Sequence, residues 1–124
     1  MKTESRLEKV LAAGHLAVTS EVGPPRGCGA DIVKEKANLI KDHVDGINIT
    51  DNQTAMVRMS SIAGGVIIKQ MGLDPIIQMV SRDRNRLAMQ ADIIGAYTLG
   101  INTMLCLSGD HPKFGDHPMA KGVY

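Results

Sequence analysis

Asp45-Gly-Ile-Asn-Ile-Thr-Asp-Asn-Gln53 opens as a short β-branched run and closes as a polar one, with six polar side chains in nine residues. The change of character around Thr50 reads as a buried strand running out into a loop that carries chemistry. Three other stretches share the profile: Leu16-Ala-Val-Thr-Ser-Glu21 before it, then Ile76-Ile-Gln-Met-Val-Ser81 and Thr103-Met-Leu-Cys-Leu-Ser108 after it. They start about every 30 residues, which matches a repeating βα unit with short connections.

The segments between them carry helical periodicity. In Ala30–His43 the residues Ile32, Val33, Ala37, Leu39 and Ile40 make an apolar stripe, with Lys34, Glu35, Lys36 and Lys41 outside it. Met59–Met71 contains Ser60 and Ser61 as candidate N-caps and stops at Gly72. Asn85–Leu99 starts at a capping asparagine and ends at Gly100, the residue expected just past a helix. An amphipathic helix over Ser5–Ala13 precedes the first strand and is placed to cover one end of the sheet.

Alternating βαβα order implies a parallel sheet with helices outside it. Two closures compete. An open doubly wound sheet suits the 124 residues better, since a TIM barrel typically takes about 250. The polar strand ends decide. Glu21, Thr50 with Asp51, Gln78 with Ser81, and Asp110 each stand at or near the end of a different strand. An open sheet gathers its site at one switch point, whereas a barrel draws residues from successive strand ends onto one face. The predicted fold is therefore α/β, a parallel (β/α)8 barrel of TIM type with about four of its eight units. Residues 1–124 form a single partial domain, the N-terminal half. No helical pattern begins within Ser108–Tyr124, so the chain is expected to stop inside a βα loop.

Composition narrows the partners. The chain is 44% hydrophobic, enough for a core, but with two Tyr, one Phe and no Trp that core rests on aliphatic residues and eight Met. Lys and Arg number 14 against 13 Asp and Glu, a balance that argues against a nucleic-acid partner. No apolar run approaches the ~20 residues of a membrane span. The opening residues are charged rather than signal-like. Cys28 and Cys106 form no CxxC pair, so a reduced, cytoplasmic setting is the default expectation.

Several motifs carry two readings. Glu21 is either a solvated loop carboxylate or a general acid at a partly apolar mouth, held by the stiff Pro24-Pro25 turn that follows. Gly27-Cys28-Gly29 suggests a dinucleotide fingerprint, but Ile32 stands where the third glycine belongs, so it reads as a flexible loop. Asn48 and Thr50 share strand parity, and two inward polar groups need partners that a ligand can supply. The competing reading for this stretch is turn and capping chemistry by Asp51 and Asn52. Gln78 interrupts an apolar strand. Arg82-Asp83-Arg84 reads as an ion-pair network or as direct ligand contact. Gly109-Asp-His-Pro112 recurs as Gly115-Asp-His-Pro118; two Asp-His pairs suggest metal ligands, yet no further Cys or His stands near, and no metal is expected.

Taken together, Glu21-Val-Gly-Pro-Pro-Arg26, Asn48-Ile-Thr-Asp-Asn-Gln53, Arg58-Met-Ser-Ser61, Gln78-Met-Val-Ser-Arg-Asp-Arg-Asn85 and Leu107-Ser-Gly-Asp-His111 resemble the methylenetetrahydrofolate reductase family in its bacterial form. The resemblance runs from about Ser5 to Tyr124. It implies a barrel that holds flavin, FAD in preference to FMN, at the strand ends, and that reduces 5,10-methylenetetrahydrofolate to 5-methyltetrahydrofolate. Glu21 matches the family's general acid, and Asp110 the aspartate beside flavin and pterin. Thr50 matches a flavin-contacting threonine, with Asp51 next to it. Gln78 stands where other members place a flavin-binding histidine. Leu107, Ser108 and Gly109 match a Leu-Arg-Gly stretch lining the flavin; Ser108 replaces the arginine, so only backbone contacts carry over. Val123 and Tyr124 fall near the adenine side. The resemblance also implies that the second half of a barrel supplies the remaining wall.

The expectation is thus an oxidoreductase unit of one-carbon and methionine metabolism, inactive on its own, with NADH, NADPH or an electron-transfer protein as donor. It is expected in a homo-oligomer or hetero-complex. The rival expectation is a half-barrel that dimerises through its free strand edges or serves as an interaction module without turnover.

Overall fold

The computed structural model describes residues 4–122. Among them four α-helices and four strands alternate: α1 (Arg6–Ala12), β1 (Thr19–Val22), α2 (Ala30–Ile40), β2 (Gly46–Ile49), α3 (Ser61–Gln70), β3 (Pro75–Val80), α4 (Arg86–Thr98) and β4 (Thr103–Leu107). The strands form one sheet in the order β1-β2-β3-β4, every neighbouring pair parallel. This is the α/β arrangement of a partial TIM barrel. Val123 and Tyr124 lie outside the described residues. Among those described, no helix is long and apolar enough to cross a membrane, and Cys28 and Cys106 are free and exposed.

Strand alternation divides the sheet into two faces. Val22, Ile47, Ile49 and Ile77 face the helices and are buried to within about 1% exposure. The first three pack with Val33, Ala37 and Ile68, while Ile77 packs with Ala96 and Ile101. The opposite face carries Glu21, Asn48, Gln78, Leu105 and Leu107, where register sets Glu21 level with Asn48 and Gln78 level with Leu105. Leu105 and Leu107 on β4 are 43% and 37% exposed.

The helices start and stop for local reasons. Asn85 Oδ1 accepts from the Ala88 amide, and Ser60 Oγ from the Ala63 amide, each relieving an orphan N–H of a first turn. Ser60 is therefore the cap of α3. Ser61, the other candidate, is the first helical residue; it is fully buried and donates from Oγ to the Gln78 carbonyl. Gly72 and Gly100 take positive φ just past α3 and α4, where a left-handed residue lets the chain leave the helix.

Several expected boundaries differ. Leu16–Val18 is not strand: β2 begins at Gly46 opposite Thr19, so no partner remains for the earlier residues. Asp45 instead closes that end, its carboxylate accepting from the Val18 amide and its own N–H donating to the Val18 carbonyl. Helix α2 ends at Ile40 rather than His43, and its buried stripe is Val33 and Ala37 with Ile40 packed beside them. Ile32 and Leu39 sit about one 100° step off that line and are 43% and 78% exposed. Finally, β1, β2 and β3 end at Val22, Ile49 and Val80, within a residue of expectation.

Helix α3 lies against the sheet through two buried glycines. A Cβ on Gly64 would come within 2.7 Å of Ile49 Cγ2, and one on Gly65 within 2.7 Å of Ile77 Cγ2 and 2.9 Å of Ile101 Cδ1. Gly95 in α4 has nothing within 4 Å of that position. The three glycines should therefore separate in unfolding experiments. Gly64→Ala and Gly65→Ala are each expected to destabilise by about 1–3 kcal/mol through overpacking. Gly95→Ala should stabilise by about 0.5–1 kcal/mol, the helix-propensity gain with no steric penalty. Equal effects at all three positions in urea titrations would contradict the close approach of α3 to the sheet.

Candidate functional site

The side chains at the strand ends meet because parallel register sets neighbours level. Glu21 lies beside Asn48, and Gln78 reaches back across β2 to donate from Nε2 to Glu21 Oε2 at 3.4 Å. Glu21 is exposed and Gln78 half-buried. Both border an open cleft of about 490 Å³ whose lining also includes Thr50, Asp51, Leu107, Ser108, Gly109 and Asp110. The described residues that the sequence offers as acid or as flavin contacts thus border one cleft, whereas Asn48, paired with Thr50 as an inward polar group, is not part of its lining. Val123 and Tyr124 fall outside the description.

The loops that build the cleft are tied to one another through side chains. Arg82, 4% exposed, donates from Nη1 to the Asp110 carbonyl at 2.8 Å and from Nη2 to the Asn52 carbonyl at 3.1 Å. Its Nε and Nη2 also grip both carboxylate oxygens of Asp83. One guanidinium therefore joins the loops after β2, β3 and β4. The hydrogen bond from Arg82, reinforced by Asn52 Nδ2, holds the Asp83 carboxyl below its usual range against the opposing effect of burial. The Arg82 guanidinium is correspondingly held above its usual value, chiefly by the same bond.

Asp51 and Arg84 make a second tie. The Asp51 carboxylate accepts from the Val80 amide at 2.9 Å and from both Nη atoms of Arg84. Burial alone would lower the Arg84 pKa, but its bonds to Asp51 and Asp92 outweigh that and raise it. The Arg82-Asp83-Arg84 run is thus the ion-pair network of the plainer sequence reading. Asp51 touches the cleft while its carboxylate is held by Val80 and Arg84.

The loop after β1 is fixed to the loop after β2. Arg58 Nη1 donates to the Pro24 carbonyl and the Met59 amide to the Pro25 carbonyl, while Asn52 Oδ1 accepts from the Arg58 amide. Pro24-Pro25 therefore offers two fixed acceptors as well as a stiff turn. The Gly27–Gly29 segment only leads into α2, with Gly29 at its N-cap position making no side-chain cap bond.

Two polar groups in the cleft have spare capacity. Thr50 Oγ1 is buried and has no hydrogen-bond partner among the described residues. A buried hydroxyl left unpaired is costly, so a polar ligand atom is a fitting partner for it. Asp110 Oδ2 accepts from the Thr54 amide at 2.8 Å, and its other oxygen takes no donor from the described residues. No three His, Cys, Asp or Glu side chains converge as a metal cluster among the described residues. The two aspartates of the Gly-Asp-His-Pro repeat accept instead from backbone amides, of Thr54 and Val57. Neither the place of Arg82 nor that of Asp116 was evident from the sequence; the repeat itself was the one signal pointing to Asp116.

A family model described as methylenetetrahydrofolate reductase matches residues 6–124. No curated protein and no solved structure matches the chain.

Two expectations follow from the loop ties. Asp51→Ala leaves the Arg84 guanidinium, 11% exposed, without its bidentate partner and should cost about 3–5 kcal/mol in thermal or urea unfolding. A loss below about 1 kcal/mol would show that Asp92 alone satisfies Arg84. The Asp83 pKa is lower folded than unfolded, so Asp83 stabilises the fold above its ordinary value near pH ~3.9. That contribution disappears as pH falls through the lowered folded value. Asp83→Asn should therefore flatten the acid limb of the stability-versus-pH curve, and an unchanged limb would count against the Arg82–Asp83 bond.

Proposed function

The chain belongs to the methylenetetrahydrofolate reductase family, and from that premise we propose that its cleft serves flavin-dependent reduction of 5,10-methylenetetrahydrofolate to 5-methyltetrahydrofolate, with FAD as the flavin. The observation that carries this reading is the meeting of Glu21, Gln78, Asp110 and the unpartnered Thr50 hydroxyl around one cleft. Thr50 Oγ1 and the backbone of Leu107–Gly109 hold the cofactor, and Gln78 contributes its amide. Reduced flavin, when bound, supplies the hydride that converts the methylene carbon to methyl.

The protein's own part is proton delivery and orientation. Glu21 stands at the mouth, where its carboxyl protonates the folate nitrogen and opens the five-membered ring to a reactive iminium. The Gln78 amide orients Glu21 through the 3.4 Å bond, which a bound folate draws tighter or replaces. Asp110 keeps one oxygen on the Thr54 amide and offers the other to the pterin, adding negative charge beside the cofactor. The half-exposed Leu105 and Leu107 on the same face fit a four-strand unit whose remaining wall is built by further strands, and on this reading the unit alone does not turn over. The electron donor is a nicotinamide or an electron-transfer protein.

Glu21→Gln in the intact protein is expected to lower folate reduction by about 10²–10⁴-fold, the usual contribution of a general acid, with flavin absorbance unchanged. Folate turnover near the wild-type rate would remove Glu21 from the acid role. A protein that stays colourless with added FAD and sediments as a dimer would instead favour the half-barrel interaction module.

A further inference from the structure

The loop after β2 adopts a backbone that Asn52 tolerates but that Thr54 and Ala55 do not favour. Asn52, Thr54 and Ala55 have φ of 44°, 59° and 57°, in the left-handed region, and none is glycine. Contacts from outside the loop hold it there: Arg82 and Asp83 bond Asn52, and the contacts to the rest of the turn come from the repeated Gly-Asp-His-Pro motif after β4. Asp110 Oδ2 accepts from the Thr54 amide at 2.8 Å, and Asp116 Oδ2 from the Val57 amide at 2.7 Å. The Asp116 amide donates to the Ala55 carbonyl at 3.2 Å, so the two loops bond in both directions. Gly115 makes the approach possible: a Cβ there would fall 1.8 Å from the Ala55 carbonyl oxygen. The second oxygen of Asp116 accepts from Arg26 Nη2 at 2.8 Å, which adds the loop after β1.

We propose that Asp116 is a positioning residue for the cofactor cleft, closing with Asp110 a two-point clasp that keeps residues 52–57 in the left-handed turn beside Thr50. The duplicated motif has a physical sense on this view. Two Gly-Asp pairs, six residues apart, place two acceptors over amides three residues apart in the clasped loop. The nearer pair, at Asp110, borders the cleft. The farther pair, at Asp116, stands outside its lining and acts through the loop. Its carboxyl is held below the usual range by the Val57 amide first and then by Arg26, so the acceptor stays ionised where the clasp must hold.

The effect on cofactor affinity rests on the flavin reading above; the clasp itself does not. In the intact protein, site-resolved amide exchange and flavin titration should be compared for wild type, Asp116→Ala, Asp116→Asn and Ile68→Val. Ile68→Val trims the core away from these loops and serves as a stability control. Asp116→Ala removes both bonds to the carboxylate and is expected to speed exchange about tenfold or more at Val57 and also at Thr54, and to weaken flavin binding about tenfold. Asp116→Asn keeps one acceptor and should recover part of both, while Ile68→Val should move neither selectively. Faster exchange at Val57 alone, with Thr54 and flavin affinity as in wild type, overturns the clasp. If the wild type binds no flavin, the cofactor reading fails and the coupled exchange at Thr54 and Val57 still decides the clasp. If Asp116→Ala does not fold, the graded response of Asp116→Asn decides it.

Discussion

The guanidinium of Arg82 lies almost wholly out of water, and the form of the strand-end face follows from how it is satisfied. A buried cation must be paired and hydrogen-bonded, because an unpaired charge in the interior is costly. Asp83 supplies the countercharge, and the carbonyls of Asn52 and Asp110 take the remaining donors. Those carbonyls belong to loops that leave different strands. Moving either loop would strand a buried donor, so the loops after β2, β3 and β4 are held as one piece. Thr50 and Asp110, just past β2 and β4, therefore stand on a fixed floor rather than on independently mobile connections, level with Gln78 in β3.

The same sheet provides a core on one face and a site on the other. Parallel strands alternate their side chains, so Ile47 and Ile49 enter the helix-facing core while Asn48 between them faces the cleft side. Gln78 lies between Ile77 and Met79 in the same way. Polar groups on the cleft face weaken nothing in the core, because no residue is asked to serve both. The core in turn depends on close backbone approach. The two glycines of α3 lower its intrinsic helix propensity, and the contact they permit with Ile49 and Ile77 offsets that loss.

How much of this could be read in the amino-acid string depended on the range of the interaction. The alternation of strand and helix, the Asn85 cap and the stop at Gly100 are local, written in periodicity and in residues with particular backbone habits. The polar ends of the four strands are local too, and they located the face on which the cleft lies. The start of β1 was misread because Leu16 and Val18 have strand-like side chains, yet strand requires a partner and β2 offers one only from Gly46 onward. The Arg82–Arg84 run announced an ion-pair network but not its pairing, which spans 33 residues between Asp51 and Arg84. Asn52 marked a turn after β2, but the left-handed backbone at Thr54 and Ala55 gave no local sign. Its cause is a set of hydrogen bonds from a segment more than 50 residues away.

That turn follows directly on Thr50 and its buried hydroxyl. Several neighbouring buried or half-buried polar groups are satisfied: Asp51 by Val80 and Arg84, Arg82 by its carbonyls and Asp83, Ser61 by the Gln78 carbonyl; the Arg58 Nε, like the Thr50 hydroxyl, has no partner among the described residues. Here the loop is held from outside, by the Arg82 guanidinium and by the carboxylates of Asp110 and Asp116, in a backbone that Thr54 and Ala55 resist. The Thr50 hydroxyl beside this restrained loop is unpaired among the lining of an open cleft, where a bound molecule can reach it. An unpaired buried hydroxyl destabilises the free protein, and a ligand that supplies the missing partner regains that free energy on binding. Preorganisation at this site is thus a matter of the hydrogen bond left for a ligand to make.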